Sequence, residues 1–491
     1  MGTADRFDVL VVGGGAAGCV IASGLARRPD RRVLLLEAGP DRRGVTPPEW
    51  RDGWHLPMAD SLPDWGYRDE PDDGSPGTAL RRGRLLGGTS WLTRFAVRGA
   101  PADFDAWAAR GNPGWSWDDV LPVFRRIEAE REFGSEPWHG RDGRLPITRY
   151  PDLEPAPAHR AAVEALRAAG VPTVADHNRP GASGVGRMPM STKDGRRVTT
   201  LDAWIGDGRL KRLTIRSERA VVRVVLDRGR ATGVELVDGA RIAADEVILC
   251  AGTYGSPVVL LRSGMGPAAH LREMGIDVAV DLPGVGENLA DHPGVELDPG
   301  LRGPGATSGP ILHSIATWRS SLAAEDGAPD LMTWISDPVP ADPTVWMDAI
   351  LLKPTSRGRV RLRSADPGDS PRIRLPGIRT PDDVVRIEEA LRFLADVAGR
   401  PEIRRTAAEP APSVPSSPAE TAYSIPHVVG TCAMGPDPAA GAVVDADGQV
   451  HGVAGLRVVD ASIIPDAPSG FPHLITIMAA EHLLDRWLGA G

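Results

Sequence analysis

Apolar residues recur along this chain in three patterns, and each pattern predicts a different element. Residues 7–28, FDVLVVGGGAAGCVIASGLARR, open on a β-branched run, Val9 to Val12. A glycine cluster follows, then an alanine- and leucine-rich stretch with helical spacing. Val33 to Leu36 is a second continuous apolar run, so the chain begins with a βαβ unit. Residues 213–252 alternate apolar and polar side chains around Gly/Asp turns. They predict a small antiparallel meander and then a further buried strand, Val247 to Cys250. RGRVRLRSADPGDSPRIRL, residues 357–375, also reads as strands. Residues 380–399 read as a helix that Thr380 can cap, that starts on Pro381 and that Gly399 stops. LITIMAAEHLLDRW near the end has helical spacing, with Leu474, Ile477, Met478 and Leu484 on its apolar side and Pro472 at its first turn. Residues 40–140 are rich in Pro, Gly, Trp and Asp. They predict extended loops over a site, with a helix near residues 116–129. Residues 409–420, EPAPSVPSSPAE, read as a polar, mobile surface loop.

Composition narrows the function classes. A net charge of −9 over 491 residues, with no lysine-rich run, argues against a nucleic-acid partner. Cys19, Cys250 and Cys432 are far apart and form no C-x-x-C pair, so neither a metal site nor a disulfide framework is expected. That usage fits a reducing, cytoplasmic setting. The N-terminal apolar run is too short to span a bilayer and lacks a basic segment before it, so no signal peptide or membrane span is expected. No internal repeat and no prenylation or retention motif is found.

The glycine cluster carries the first chemistry. Gly13-x-Gly15-x-x-Gly18 follows a strand and opens a helix. Such glycines allow a tight turn, close approach of a pyrophosphate, and close helix–strand packing. The helix N-terminus offers free N–H groups and the positive end of its dipole. Glu37 ends the second strand about 20 residues on, where a carboxylate can bind a ribose hydroxyl. Strand, helix, second strand and acid are all in register for a dinucleotide fingerprint. The motif does not by itself separate FAD from NAD.

Further segments carry a resemblance. GRLLGGTSWLTRFAVRGAPADFDAW, residues 83–107, and GTYGSPVVLLRSGMGP, residues 252–267, resemble the two signatures of the glucose–methanol–choline (GMC) oxidoreductases. LPGVGENLADHP, residues 282–293, HVVGTCAMG, residues 427–435, and GLRVVDASIIPDAPSGFPHLITIMAAE, residues 455–481, are similar to the family's later motifs, in the family's order. The resemblance implies FAD and an α/β fold. It implies a Rossmann-like FAD-binding domain with an interleaved α+β substrate domain built on an antiparallel sheet. The expected FAD-binding segments are 1–145, 196–295 and 425–491, and the expected substrate-binding segments are 146–195 and 296–424. The resemblance further implies that Gly13, Gly15, Ala16, Ala17, Gly18, Glu37 and Ala38 bind the cofactor. It puts Gly87, Gly88, Thr89, Ser90 and Thr93 near the pyrophosphate and ring, and Val221 at the adenine. Ala251, Gly252, Asp460 and Ala461 join this set, with Pro472, His473 and Leu474 at the start of the last helix. Asn288, Asp291 and His292 are expected to be structural polar groups at a domain edge.

The family reaction oxidises an alcohol: carbon gives hydride to flavin N5 while a base takes the hydroxyl proton. Imidazole suits that base, and His427 matches the family's catalytic histidine. The N-terminus of the last helix would stabilise negative charge on the pyrimidine side of the flavin. Two departures stand out. Where the family has an Asn or His as partner of the catalytic histidine, this chain has Phe471, with His473 two residues later. Either the loop shifts so that His473 becomes the partner, or Phe471 replaces it. The ungapped spacing to the helix favours replacement, leaving His473 to bond the flavin or a loop carbonyl. In the first signature Trp91 and Thr93 stand where small residues and Asn are usual. No His or Cys lies near Trp91, so FAD is expected to be non-covalent. Trp54, Trp65, Trp91, Trp334 and Trp346 are candidates for an aromatic pocket, with core packing the stronger expectation. Expected partners are a small-molecule alcohol and an electron acceptor, O2 or another such as a quinone. The competing functional readings are a lyase or decarboxylase on the same fold, and a non-catalytic flavin-binding protein.

Overall fold

The fold was obtained as a computed structural model. It describes residues 6–489 apart from 55–60, 72–73, 75–76, 207–209, 304–308, 325–326, 340–341, 407–414 and 416. Most of the proline-rich stretch at 409–420 therefore lies outside the described residues, while Pro418–Thr421 forms one helical turn.

Two sheets organise the chain. The first has seven strands. Its parallel part runs Leu213–Arg216, Val33–Leu36, Arg6–Val12, Arg241–Leu249 and Leu456–Val458. The strands Val33–Leu36 and Val247 to Leu249 are fully buried, as expected of parallel strands covered on both faces. Helices Ala16–Ala26 and Pro472–Leu488 pack against each other over this sheet.

The meander expected over 213–252 is present only from Val221 on: Leu213–Arg216 pairs parallel with Val33–Leu36 instead, and the last two predicted pieces are one strand. Arg241–Leu249 alternates exposed and buried residues in its first half, where it pairs antiparallel with Arg230–Leu236. In its second half it is continuously buried and pairs parallel with Leu456–Val458. The change of hydrophobic period inside one strand mimics a boundary between two.

The second sheet is antiparallel with six strands. Its order is Tyr423–Ser424, Pro293–Val295, Ala349–Leu351, Leu331–Ser336, Leu312–Trp318 and Gly184–Arg187. One face packs on helices Pro157–Ala168 and Pro381–Ala398. The other face holds Met188, Leu312, Ile315, Met332 and Ile350 against Phe95 and Phe471. The second sheet's core thus reaches the first residue before the C-terminal helix. The helix expected near 116–129 spans Trp117–Ile127, started by a capping box between Ser116 and Asp119. Thr380 caps Pro381–Ala398 by accepting from the Asp383 N–H. Among the described residues no helix is long and apolar enough to cross a membrane. The three cysteines are buried and unpaired.

Candidate functional site

A cleft of about 500 Å³ runs along the C-terminal ends of the parallel strands, as open parallel sheets lead one to expect. Gly13 has φ +98°, and a Cβ there would meet the Cys250 carbonyl at 2.5 Å, so only glycine fits this turn. Gly18 faces the other way: its Cβ would lie 1.9 Å from the Gly13 carbonyl oxygen, so it serves helix–strand packing. Gly15 has open space where a Cβ would be, and it lines the cleft. The motif's three glycines therefore do three different things.

Glu37 is buried. One carboxylate oxygen accepts from the Gly14 N–H at 2.8 Å and the other from the Gly39 N–H at 2.7 Å. Burial raises its pKa, and the hydrogen bonds from Gly39 and Gly14 oppose that rise. The second glycine pair meets the first motif, since the Gly87 N–H donates to the Gly14 carbonyl at 2.7 Å. Asp460 spends its side chain on structure, accepting from Gly252 N–H at 2.8 Å, Ser256 Oγ at 2.6 Å and Ser462 N–H at 2.8 Å. That fixes the loop whose residues Asp460 and Ala461 line the cleft.

Of the cofactor residues expected from sequence, Gly13, Gly15, Ala16, Ala17, Glu37, Ala38, Gly88, Thr89, Ser90 and Thr93 line this one cleft. So do Val221, Ala251, Gly252, Asp460, Ala461, Pro472 and His473. Gly18, Gly87 and Leu474 do not. Gly18 packs against the Gly13 carbonyl, Gly87 (φ +98°) against the Trp91 indole, and Leu474 is wholly buried in the core. Trp91 is fully buried, its Nε1–H donating to the Leu86 carbonyl at 2.9 Å, whereas Trp65 is partly exposed and lines the cleft, stacked on Tyr67.

His427 and Phe471 both line the cleft. Their rings lie 4.6 Å apart, and Phe95 meets Phe471 edge-on at 5.8 Å. Phe471 is the N-cap of the C-terminal helix, and its N–H donates to the Val97 carbonyl at 3.0 Å. No side chain caps this helix and no acid occupies its first turn. His473 also lines the cleft, and its buried Nε2 has no hydrogen-bond partner among the described residues. Burial lowers its pKa to about 4, helped by the Arg197 charge.

The expectation missed the partner of His427. His292 Nδ1 lies 3.0 Å from His427 Nδ1, with the rings nearly perpendicular at 87°. Its Nε2 lies 2.9 Å from the Pro468 carbonyl. Asp291 Oδ1 accepts from both backbones, His292 N–H at 2.9 Å and His427 N–H at 2.7 Å, and Ser424 donates to Oδ2. Burial lowers the pKa of His427 well below 6.5, with His292 and Arg82 adding to the effect. Burial also lowers that of His292, to about 4. Both imidazoles are therefore neutral at physiological pH. The only hint in the sequence was the presence of a histidine at 292, in a segment 135 residues from His427.

The donor set fits FAD. Open space stands at Gly15, free helix N–H groups border the cleft at two helices, and an unpartnered imidazole nitrogen lies at its far end. A family profile described as GMC oxidoreductase matches residues 7–294, and its C-terminal counterpart matches residues 354–480. An uncharacterized GMC-type oxidoreductase of Rhodococcus erythropolis is 35% identical, covering 100% of both chains. The 5-(hydroxymethyl)furfural oxidase of Methylovorus sp. (strain MP688) is 33% identical, covering 98% of each. The crystal structure of pyridoxine 4-oxidase from Mesorbium loti superposes with a TM-score of 0.89 at 33% identity, covering 98% of this chain and 99% of that one. With cleft, motifs and relatives in agreement, the chain belongs to the GMC oxidoreductases, a family of FAD-dependent enzymes.

Proposed function

We propose that this protein oxidises the hydroxyl group of a small primary alcohol carried on an aromatic ring, with His427 as general base. When bound, FAD supplies the acceptor for the hydride that leaves the carbinol carbon. The chain's own contribution is placement and proton management. Gly13, Gly15 and the first turn of helix Ala16–Ala26 hold the pyrophosphate, and Glu37 holds the adenosine ribose. Val221 stands at the adenine. Gly88 to Ser90 and the Asp460–Ala461 backbone hold the middle of the cofactor. The backbone of Pro472 and His473, at the start of the last helix, would hold the pyrimidine side of the flavin, where the helix dipole favours negative charge. No covalent link is formed. The FAD-binding segments are 1–145, 196–295 and 425–491, with the substrate pocket built on the rest.

One observation carries the reading. A partly buried, uncharged imidazole lines the cleft beside the N-terminus of the last helix. A neutral imidazole can take a proton, and burial keeps it neutral. Phe471 and Phe95 give that imidazole an apolar aromatic wall suited to an arylmethanol.

The test is anaerobic mixing with a benzylic alcohol while following the flavin absorbance. Bleaching is expected, and His427→Ala should slow it by about 10²- to 10⁴-fold, the usual range for a lost general base. Equal rates would remove His427 from that role. Turnover of substrate without bleaching would support a lyase or decarboxylase instead. Admitting air afterwards reports whether O2 or another acceptor reoxidises the flavin.

A further inference from the structure

We infer that His292 is the positioning residue of the reaction, fixing the tautomer of His427 in place of the side chain that Phe471 lacks. The inference rests on the reading of His427 as base.

A backbone carbonyl only accepts, so the 2.9 Å contact to Pro468 requires a proton on His292 Nε2. A neutral imidazole carries one proton, so His292 Nδ1 is bare. The 3.0 Å contact between the two Nδ1 atoms can then hold only if His427 carries its proton on Nδ1. His427 Nε2 is left with a free lone pair, which is the form a base must have. In the opposite tautomer two lone pairs would face each other at 3.0 Å, and the proton would block Nε2.

The surroundings hold this arrangement. Asp291 Oδ1 bonds both histidine backbones, so one carboxylate sets their spacing. Pro468 is fixed in turn: the next residue, Ser469, donates its N–H to Asp103 at 2.8 Å, and Lys353 bonds Asp103 Oδ1 at 2.8 Å and the Ala467 carbonyl. Phe471 covers another side of His427 and offers no polar atom. The charged groups facing the pair are Arg82 near His427, and Lys353 and Asp103 near His292, with Asp291 between. After His427 Nε2 takes the hydroxyl proton, the Nδ1 proton can move to His292 Nδ1. His427 is then neutral again, protonated on Nε2, and His292 carries the charge.

Side-chain ¹⁵N NMR of histidine-labelled holoenzyme reads the tautomers directly. The wild type is expected to show His427 as the Nδ1–H form and His292 as the Nε2–H form. In His292→Ala, His427 should populate the Nε2–H form. The limiting rate of anaerobic flavin reduction should fall on the order of 100-fold with little change in KM. His292→Asn keeps an acceptor oxygen near the Nδ1 position and should recover most of that rate. The inference is overturned if His427 stays Nδ1–H in His292→Ala, or if the Ala and Asn variants are equally impaired. A full rate in His427→Ala, with the tautomer shift still present in His292→Ala, would instead sink the base assignment and leave the pairing standing.

Discussion

Phe471 is the residue at which the sequence leads one to expect a departure from the family pattern. Its ring is 1% exposed, touches His427 and Phe95, and belongs to the core of the second sheet. Restoring a polar partner there therefore competes with packing. Phe471→Asn removes a buried aromatic ring, at a cost of about 3–5 kcal/mol for truncations of this kind. It also buries an amide with few partners, which adds to the loss. The expected outcome is a clearly lower Tm with no gain in the rate of flavin reduction by benzyl alcohol. A faster reduction would mean that the slot lacks a partner and that His292 does not fill it. The sequence led one to expect the substitution, because the spacing to the helix has no gap. What compensates for it was not legible. The compensating imidazole comes from a loop 135 residues away, and no local pattern reports a hydrogen bond between two loops.

At the scale of elements, the βαβ start was legible almost residue by residue. Strand, turn, helix and acid are consecutive there, and each has a local cause. The strand Arg241–Leu249 was less so, since its two halves face different neighbours. The division of labour among the glycines was also only partly legible: the spacing marks all three, but the direction each missing Cβ would take depends on the fold. That direction separates two substitutions. Gly15 has φ −77°, which any residue tolerates, and open space beyond it. Gly15→Ala should leave the melting temperature of the apoprotein near wild type but lower the FAD-to-protein ratio of the purified enzyme. Gly18→Ala drives a Cβ into the Gly13 carbonyl at 1.9 Å and should destabilise the apoprotein itself. Calorimetry of the two apoproteins beside their flavin content checks both. If Gly15→Ala melts as low as Gly18→Ala, the open space at Gly15 is not a ligand site.

Across the whole molecule, the segment that pins the last helix is tied to a buried ionic network. Val97 accepts from the Phe471 N–H, and the next residue, Arg98, reaches Glu128, His139 and the Trp138 carbonyl. His139 bonds Glu128 at 2.8 Å and Asp176 at 3.0 Å, while Arg149 bonds Glu130 and Asp176, each at 2.6 Å. Among the fully buried groups, three carboxylates, two guanidinium groups and one imidazolium balance to zero only when His139 is protonated; Glu132, partly exposed at the edge, adds a fourth carboxylate 3.5 Å from Arg149. Glu128, Glu130 and His139 lie close enough to suggest a metal site, but the two arginines already neutralise the acids. Burial lowers the pKa of His139, yet the hydrogen bonds to Asp176 and Glu128 outweigh it, and the net shift is upward from 6.5. A histidine whose pKa rises on folding contributes its full stability below its unfolded pKa and loses it as pH rises through the folded value. Several other shifted groups act at lower pH. Burial raises Asp291 and Asp348 to about 6, so their contribution is lost between pH 3.8 and that value. The histidines lowered to about 4, His177, His292, His313 and His473, titrate below 6.5. Glu37, Glu130 and Asp460 are also shifted upward by burial and lose stability in the same direction as pH rises, so the share of His139 above pH 6.5 is read by comparison with a variant. Thermal melts of the holoenzyme should show Tm falling between pH 6.5 and 8.5, on the order of 2 °C for each kcal/mol lost. His139→Gln should start lower and fall less across the same window. A wild-type Tm that is flat or rises there would mean that His139 is neutral in the fold and that the network carries an uncompensated negative charge.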